Sequence, residues 1–139
     1  MRAARLIAYV DGGSRGNPGP AGYGVVVESA EGEPQAELKA YLGRQTNNYA
    51  EYQGLLAALR WAREQGVTAL EVRADSELLV RQMTGRYQVR SPALRPLFEQ
   101  ARAWADSLAS FAMRHVPREQ NSAADRLANQ AMDEGAVSI

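Results

Sequence analysis

RLIAYVDGGSRGNPGPAGYGVVVE, residues 5–28, is the stretch on which the fold of this 139-residue chain turns. Apolar residues from Leu6 to Val10 run into a segment that holds half of the twelve glycines, Gly12 to Gly24, before the valines Val25 to Val27. A short apolar run that meets Gly and Pro reads as a strand entering a tight loop. Strands are therefore expected at residues 5–10 and 24–28. A third, weakly alternating, is expected at 36–44 after the turn-forming segment around Gly32 and Pro34. Three neighbouring strands in succession predict an antiparallel meander.

From Asn48 the apolar period changes. Tyr52, Leu55, Leu56, Leu59 and Ala62 recur at helical spacing until Gly66 stops the run. Residues 69–74 alternate into a short buried strand, and 76–84 read as a short helix ended by Gly85. Ser91 followed by Pro92 has the form of an N-cap with proline at the first helical position, opening a helix that reaches Leu108. Residues 111–116 make a last strand, and Asn121 is expected to cap a final helix that ends before Gly135. The order is βββαβααβα, an α/β domain with a five-stranded mixed sheet, expected to be one unit over residues 1–139.

Composition narrows the chemistry. The absence of cysteine excludes disulfides, thiolate nucleophiles and zinc-thiolate sites. A chain of this size buries roughly two thirds of its unfolded surface, so it can hold a core without such staples. The apolar run at residues 6–10 is far shorter than the about 18 to 20 residues a bilayer span needs, and no leader pattern follows it. A soluble, cytoplasmic monomer without a membrane partner or an obligate protein partner is expected. Sixteen basic residues balance sixteen acidic ones. Zero net charge at first argues against a nucleic-acid partner, because polyanion binders tend to carry excess Lys and Arg. All the basic residues but Lys39 are arginine. Codon usage suffices to explain that, and the planar guanidinium also suits phosphate.

Four carboxylates each admit an ordinary explanation. Asp11 precedes Gly12 and Gly13 as in an Asp-Gly turn. Glu51 lies three residues after Asn48, the spacing of a capping box. Asp75 follows a strand and precedes a short helix, a favoured N-cap place. Asp125 lies inside the last helix, where aspartate is a poor helix former and only the helix dipole favours it. Taken together they say more. Ligand sites of α/β sheets gather at the carboxyl ends of strands, where Asp11 and Asp75 both fall, and Glu51 and Asp125 stand near helix starts. If the first and fourth strands are neighbours, all four acids can meet in one cleft, where like charges repel unless cations are present. Oxygen ligands without His or Cys point to magnesium or manganese, and a pair of such ions suits in-line phosphoryl displacement.

The chain resembles the type 1 ribonuclease H family at four places in the expected order. They are YVDGGSRGNPGPAGYG (9–24), RQTNNYAEYQGLLAAL (44–59), RADSELLVRQM (73–83) and NSAADRLANQAM (121–132), a likeness that covers about residues 6–132. The resemblance implies a five-stranded mixed sheet flanked by helices, and endonucleolytic cleavage of the RNA strand of RNA/DNA hybrids, leaving 5′-phosphate and 3′-hydroxyl ends. It implies two Mg2+ ions, with Mn2+ as a substitute. Asp11 would bridge them, Glu51 and Asp75 would complete the ion near the leaving oxygen, and Asp125 would help hold the ion that activates water.

Around the acids, Gly12, Gly13 and Gly16 let backbone approach a ligand, and Ser14, Arg15 and Asn17 add hydrogen-bonding groups. By resemblance this loop reads RNA 2′-hydroxyls, the group that distinguishes RNA from DNA, with Glu51, Ser76 and Glu77 also on the RNA strand. Arg44, Thr46 and Asn47 resemble a pocket for a DNA-strand phosphate, although Asn47 could instead only start the helix.

The chain also departs from many bacterial members. RHVPREQN, residues 114–121, has no glycine-flanked histidine loop, so His115 reads as a structural residue of the strand. Arg118 is the candidate for a charged group near the scissile phosphate. The segment 85–96 replaces a longer basic protrusion, as in a compact family member, with Arg86, Arg90 and Arg95 around Tyr87. Competing readings are a noncatalytic hybrid-binding module and a DNA-directed nuclease of the same broad fold. With four acids neutralised by two divalent cations, the formal charge becomes +4, and the balanced composition no longer argues against a polyanion.

Overall fold

The computed structural model describes residues 5–137. The expected order of elements is present: β1 (Arg5–Ser14), β2 (Gly19–Ser29), β3 (Pro34–Gln45), α1 (Asn47–Glu64), β4 (Ala69–Ala74), α2 (Glu77–Met83), α3 (Arg95–Asp106), β5 (Ser110–His115) and α4 (Ser122–Val137). A 3-10 turn at Arg118–Asn121 leads into α4. The strands form one sheet in the order β3-β2-β1-β4-β5. The first three pair antiparallel, as a meander should, while β4 and β5 run parallel to β1.

Several element ends differ from the sequence reading, each for a tertiary reason. The glycine-rich stretch is strand for most of its length, not loop. Asp11, Gly12, Gly13 and Ser14 face Gly24, Tyr23, Gly22 and Ala21 in register, so the hairpin turn is confined to residues 15–18. Thr46, not Asn48, caps α1: its hydroxyl accepts from the Tyr49 amide at 3.2 Å, which places Asn48 and Glu51 inside the helix and removes the capping-box account of Glu51. Ser76, not Asp75, caps α2 by accepting from the Leu79 amide at 3.2 Å. Ser91 and Pro92 form a turn before α3, whose first turn instead contains Pro96. Asn121 does not cap α4, because its carboxamide turns inward to the Val10 carbonyl. Gly135 lies within α4, where the Tyr41 ring fills the space a Cβ would need.

The two faces of the sheet are packed differently. On one face Val10, Val25, Val27, Leu70 and Val72 meet Tyr52, Leu55 and Leu59 of α1, all essentially inaccessible to solvent. A Leu or Tyr so buried stabilises by roughly 1.5–3 kcal/mol, so this contact is the main hydrophobic anchor. On the other face α4 lies on β2, β1 and β3 through small residues, Ala124, Ala128 and Ala131 against Gly22 and Gly24. Among the described residues no helix is long and apolar enough to cross a membrane.

Candidate active site

Val10 and Ala74 stand opposite one another in the parallel β1–β4 ladder, so the next residues, Asp11 still within β1 and Asp75 just past the end of β4, stand side by side. Glu51 reaches the same place because α1 presses on Gly12, where a Cβ would stand 2.5 Å from the Glu51 amide nitrogen. Any larger residue would lift the helix and its carboxylate away. Asp125 comes from the first turn of α4, which crosses β2 at Gly24; a Cβ there would stand 2.6 Å from Leu127 Cβ. Four separate elements thus place their acids around one cleft of about 460 Å³.

Burial, followed by the charge of Asp75, a hydrogen bond with Asp125 and the charges of Asp125 and Glu51, pushes the Asp11 carboxyl up to about 8. Burial also lifts Glu51 to about 7, with Asp75 adding to the rise and a hydrogen bond from the Ser76 hydroxyl opposing it. A cleft that disfavours its own negative charge this strongly is stabilised by bound cations. Among the described residues no three acids or histidines already form a closed ligand set. The donor chemistry nevertheless fits hard divalent ions, since the charged groups at the centre are carboxylates. Asp11, Glu51, Asp75 and Asp125 are the residues that could hold them.

The other expected site residues divide into three groups. Gly12, Gly13, Ser14, Arg15, Asn47, Ser76 and Arg118 line the cleft with the acids. Gly16, Asn17, Arg44 and Thr46 lie outside its wall, and of these Asn17 is hydrogen-bonded to the lining residue Asn47. The Ser14 amide donates to Asn47 Oδ1 at 2.7 Å, the Asn47 amide donates to Asn17 Oδ1 at 3.1 Å, and the Ser14 hydroxyl donates to the Gln45 carbonyl at 2.8 Å. Asn47 therefore ties the glycine-rich hairpin to the start of α1, beyond merely starting the helix. Glu77 is turned away: it pairs with Arg81 at 2.9 Å and borders the neighbouring depression that contains His115. His115 ends β5 as expected but is exposed, so it fills no core position.

Sequence reasoning passed over Asn48 and Asn129, which also line the cleft. A signal was available, because they stand three residues before Glu51 and four after Asp125, each one helical turn from an acid. Arg15 is held by α4, through Asp133 at 2.7 Å and through Asn129.

A family profile described as reverse transcriptase-like matches residues 9–131. The bifunctional protein Rv2228c of Mycobacterium tuberculosis is 50% identical over 135 residues, covering 96% of this chain and 37% of that protein. This chain thus spans little more than a third of that relative's length. Ribonuclease HI of Halobacterium salinarum is 44% identical over 133 residues, covering 96% of this chain and 67% of that protein. The crystal structure of LC11-RNase H1 in complex with RNA/DNA hybrid superposes with a TM-score of 0.90 at 43% identity, covering 94% of this chain and 99% of that one.

Proposed function

The chain belongs to the type 1 ribonuclease H family, and from that premise we propose that it is an endonuclease that hydrolyses the RNA strand of RNA/DNA hybrids, leaving 5′-phosphate and 3′-hydroxyl ends. The observation that carries this reading is the cleft in which Asp11, Glu51, Asp75 and Asp125 meet from four elements, with Asp11 pushed up to about 8. Residues 1–139 would act as one catalytic domain and as a monomer in the cytoplasm.

Two Mg2+ ions, or Mn2+ in their place, held by these four carboxylates would offset the charge of the cleft and polarise the phosphodiester and the attacking water. The chain's own residues do the rest. Asp11 and Asp75, set side by side by the β1–β4 register, give the cleft a rigid floor. Ser76 orients Glu51 through its hydroxyl while its oxygen caps α2, so one residue couples a helix start to an acid. Arg118, on the turn before α4, brings a guanidinium to the cleft wall, where it would bind the scissile phosphate. Gly13, Ser14 and Arg15 would lie along the RNA 2′-hydroxyls, with Gly12 holding the wall behind them and Gly16 and Asn17 forming the turn beyond. Arg44, Thr46 and Asn47 would receive a DNA-strand phosphate. The Ser14–Asn47 and Asn17–Asn47 hydrogen bonds support reading both strands with one rigid unit.

The deciding assay offers a hybrid labelled on each strand, with Mg2+ or Mn2+, alongside all-DNA and all-RNA duplexes. Cleavage confined to the RNA strand of the hybrid is the expected result. Binding without cleavage in either metal would leave a noncatalytic hybrid-binding module, and cleavage of the all-DNA duplex would make the protein a DNA-directed nuclease.

A further inference from the structure

Asn121 is 1% exposed, the most deeply buried polar side chain among the described residues. It ends the 3-10 turn before α4, and its Nδ2 donates to the carbonyl of Val10 at 2.9 Å. Val10 is the residue before Asp11, and Asp125 follows Asn121 by four residues, about one helical turn. One carboxamide therefore links the strand that carries Asp11 to the helix start that carries Asp125. Its Oδ1 is buried with no hydrogen-bond partner. A buried acceptor without a donor destabilises a fold, which offsets much of what the bond to Val10 contributes and leaves stability a weak reason for an asparagine here.

We infer that Asn121 is a positioning residue that sets the placement of Asp125 against Asp11, an inference that rests on the proposed cleavage at this cleft. α4 meets β2 through Ala124, Leu127 and Ala128 against Gly24 and through Ala131 and Met132 against Gly22, a close seat that fixes the distance of the helix from the sheet. A hydrogen bond is directional, so the Asn121 contact with the Val10 backbone adds a constraint on the turn from which α4, and with it Asp125, starts. Placement matters on a fine scale, since catalytic constellations work within about 0.5 Å of the productive geometry.

Asn121→Leu keeps the branching and the number of side-chain heavy atoms while removing both the donor and the unpartnered oxygen. We expect the variant to fold with a Tm lowered by about 2–8 °C, the cost of leaving the Val10 carbonyl unpaired, and KM for a hybrid to stay within about twofold. The same change should lower kcat, and weaken Mg2+ binding to substrate-free protein by calorimetry, by about tenfold each. In an Asp125→Asn background the Leu substitution should weaken Mg2+ binding no further, because both changes act through one carboxylate. A folded Leu variant with unchanged kcat and Mg2+ affinity overturns the inference, as does an equal further loss without the Asp125 carboxylate. If Asn121→Leu does not fold, Asn121→Ala, which also removes both groups, carries the same expectations for kcat and Mg2+ binding. Failure of the parent protein to cleave any hybrid would instead overturn the cleavage reading, and the Mg2+ titration would then decide the role of Asn121 alone.

Discussion

The two helices that bring acids to the cleft from opposite faces of the sheet are seated in different ways. α1 is locked by large apolar side chains, Tyr52, Leu55 and Leu59, and its approach is set where Gly12 meets the backbone of Ala50 and Glu51. α4 is seated mostly on glycines and alanines, with Leu127, Met132 and the Tyr41 ring as its larger contacts, and the turn before it is joined to β1 by the buried hydrogen bond of Asn121. Glu51 therefore inherits its position from the core, whereas Asp125 depends in addition on a local polar contact. Interdigitated cores resist displacement because any shift opens voids and creates overlaps together.

The largest expected effect is on the α1 side. Gly12→Ala puts a methyl 2.5 Å from the Glu51 amide, against backbone that has no room to yield. Thermal denaturation should show a loss of about 3 kcal/mol, and hybrid cleavage should fall by about 100-fold. Gly24→Ala makes the corresponding change under α4, with a methyl 2.3 Å from the Ala124 carbonyl oxygen and 2.6 Å from Leu127 Cβ. The clash is as close, but most side chains under α4 are small and fewer apolar contacts are lost when the helix moves off, so a loss of about 1–2 kcal/mol and about tenfold in kcat is expected. If Gly24→Ala proves the more damaging, the contrast between the faces is wrong.

A pH series in chelator tests the charge that both helices converge on. Asp11 and Glu51 are raised to about 8 and about 7 when folded, so between pH 4 and pH 8 the folded protein binds more protons than the unfolded chain. Stability is then greatest at or below about pH 4 for these groups and is lost as pH rises through 7 and 8. A fall on the order of 2 kcal/mol across that window is expected, after allowing for partial solvent screening. Mg2+ should reverse it, and Asp11→Asn should flatten it while abolishing cleavage. A chelated parent protein whose Tm rises from pH 5 to pH 8 would contradict the assignment. The smallest effect belongs to Asp133→Ala, which breaks an ion pair with Arg15 between exposed side chains. A Tm change under about 3 °C is expected by calorimetry.

Much of this arrangement could be read along the chain. Helical spacing from Tyr52 to Ala62 located α1, and the pattern of acids at strand and helix ends picked out Asp11, Glu51, Asp75 and Asp125, which do line one cleft. Misreadings arose where one residue type serves two purposes. Asn121 has the side chain of a good helix cap, but the same donor satisfies a backbone carbonyl from a distant strand. Glycines near Asp11 suggest a tight loop, yet Gly12 and Gly13 continue the strand, and Gly12 is small because a helix backbone lies against it. Ser91 and Pro92 had the local signature of a helix start, but the helix begins at Arg95.

The sequence by itself determined the order of elements, the segregation of apolar residues into a core and the identity of the acids, because each is written in local periodicity and side-chain chemistry. Only the tertiary structure decided how close those acids come, how strongly they disfavour their own charge, and which residues hold them in place. Proximity, burial and orphaned hydrogen-bonding groups arise between segments distant in the chain, here 111 residues apart for Asn121 and Val10. No local pattern encodes such a separation.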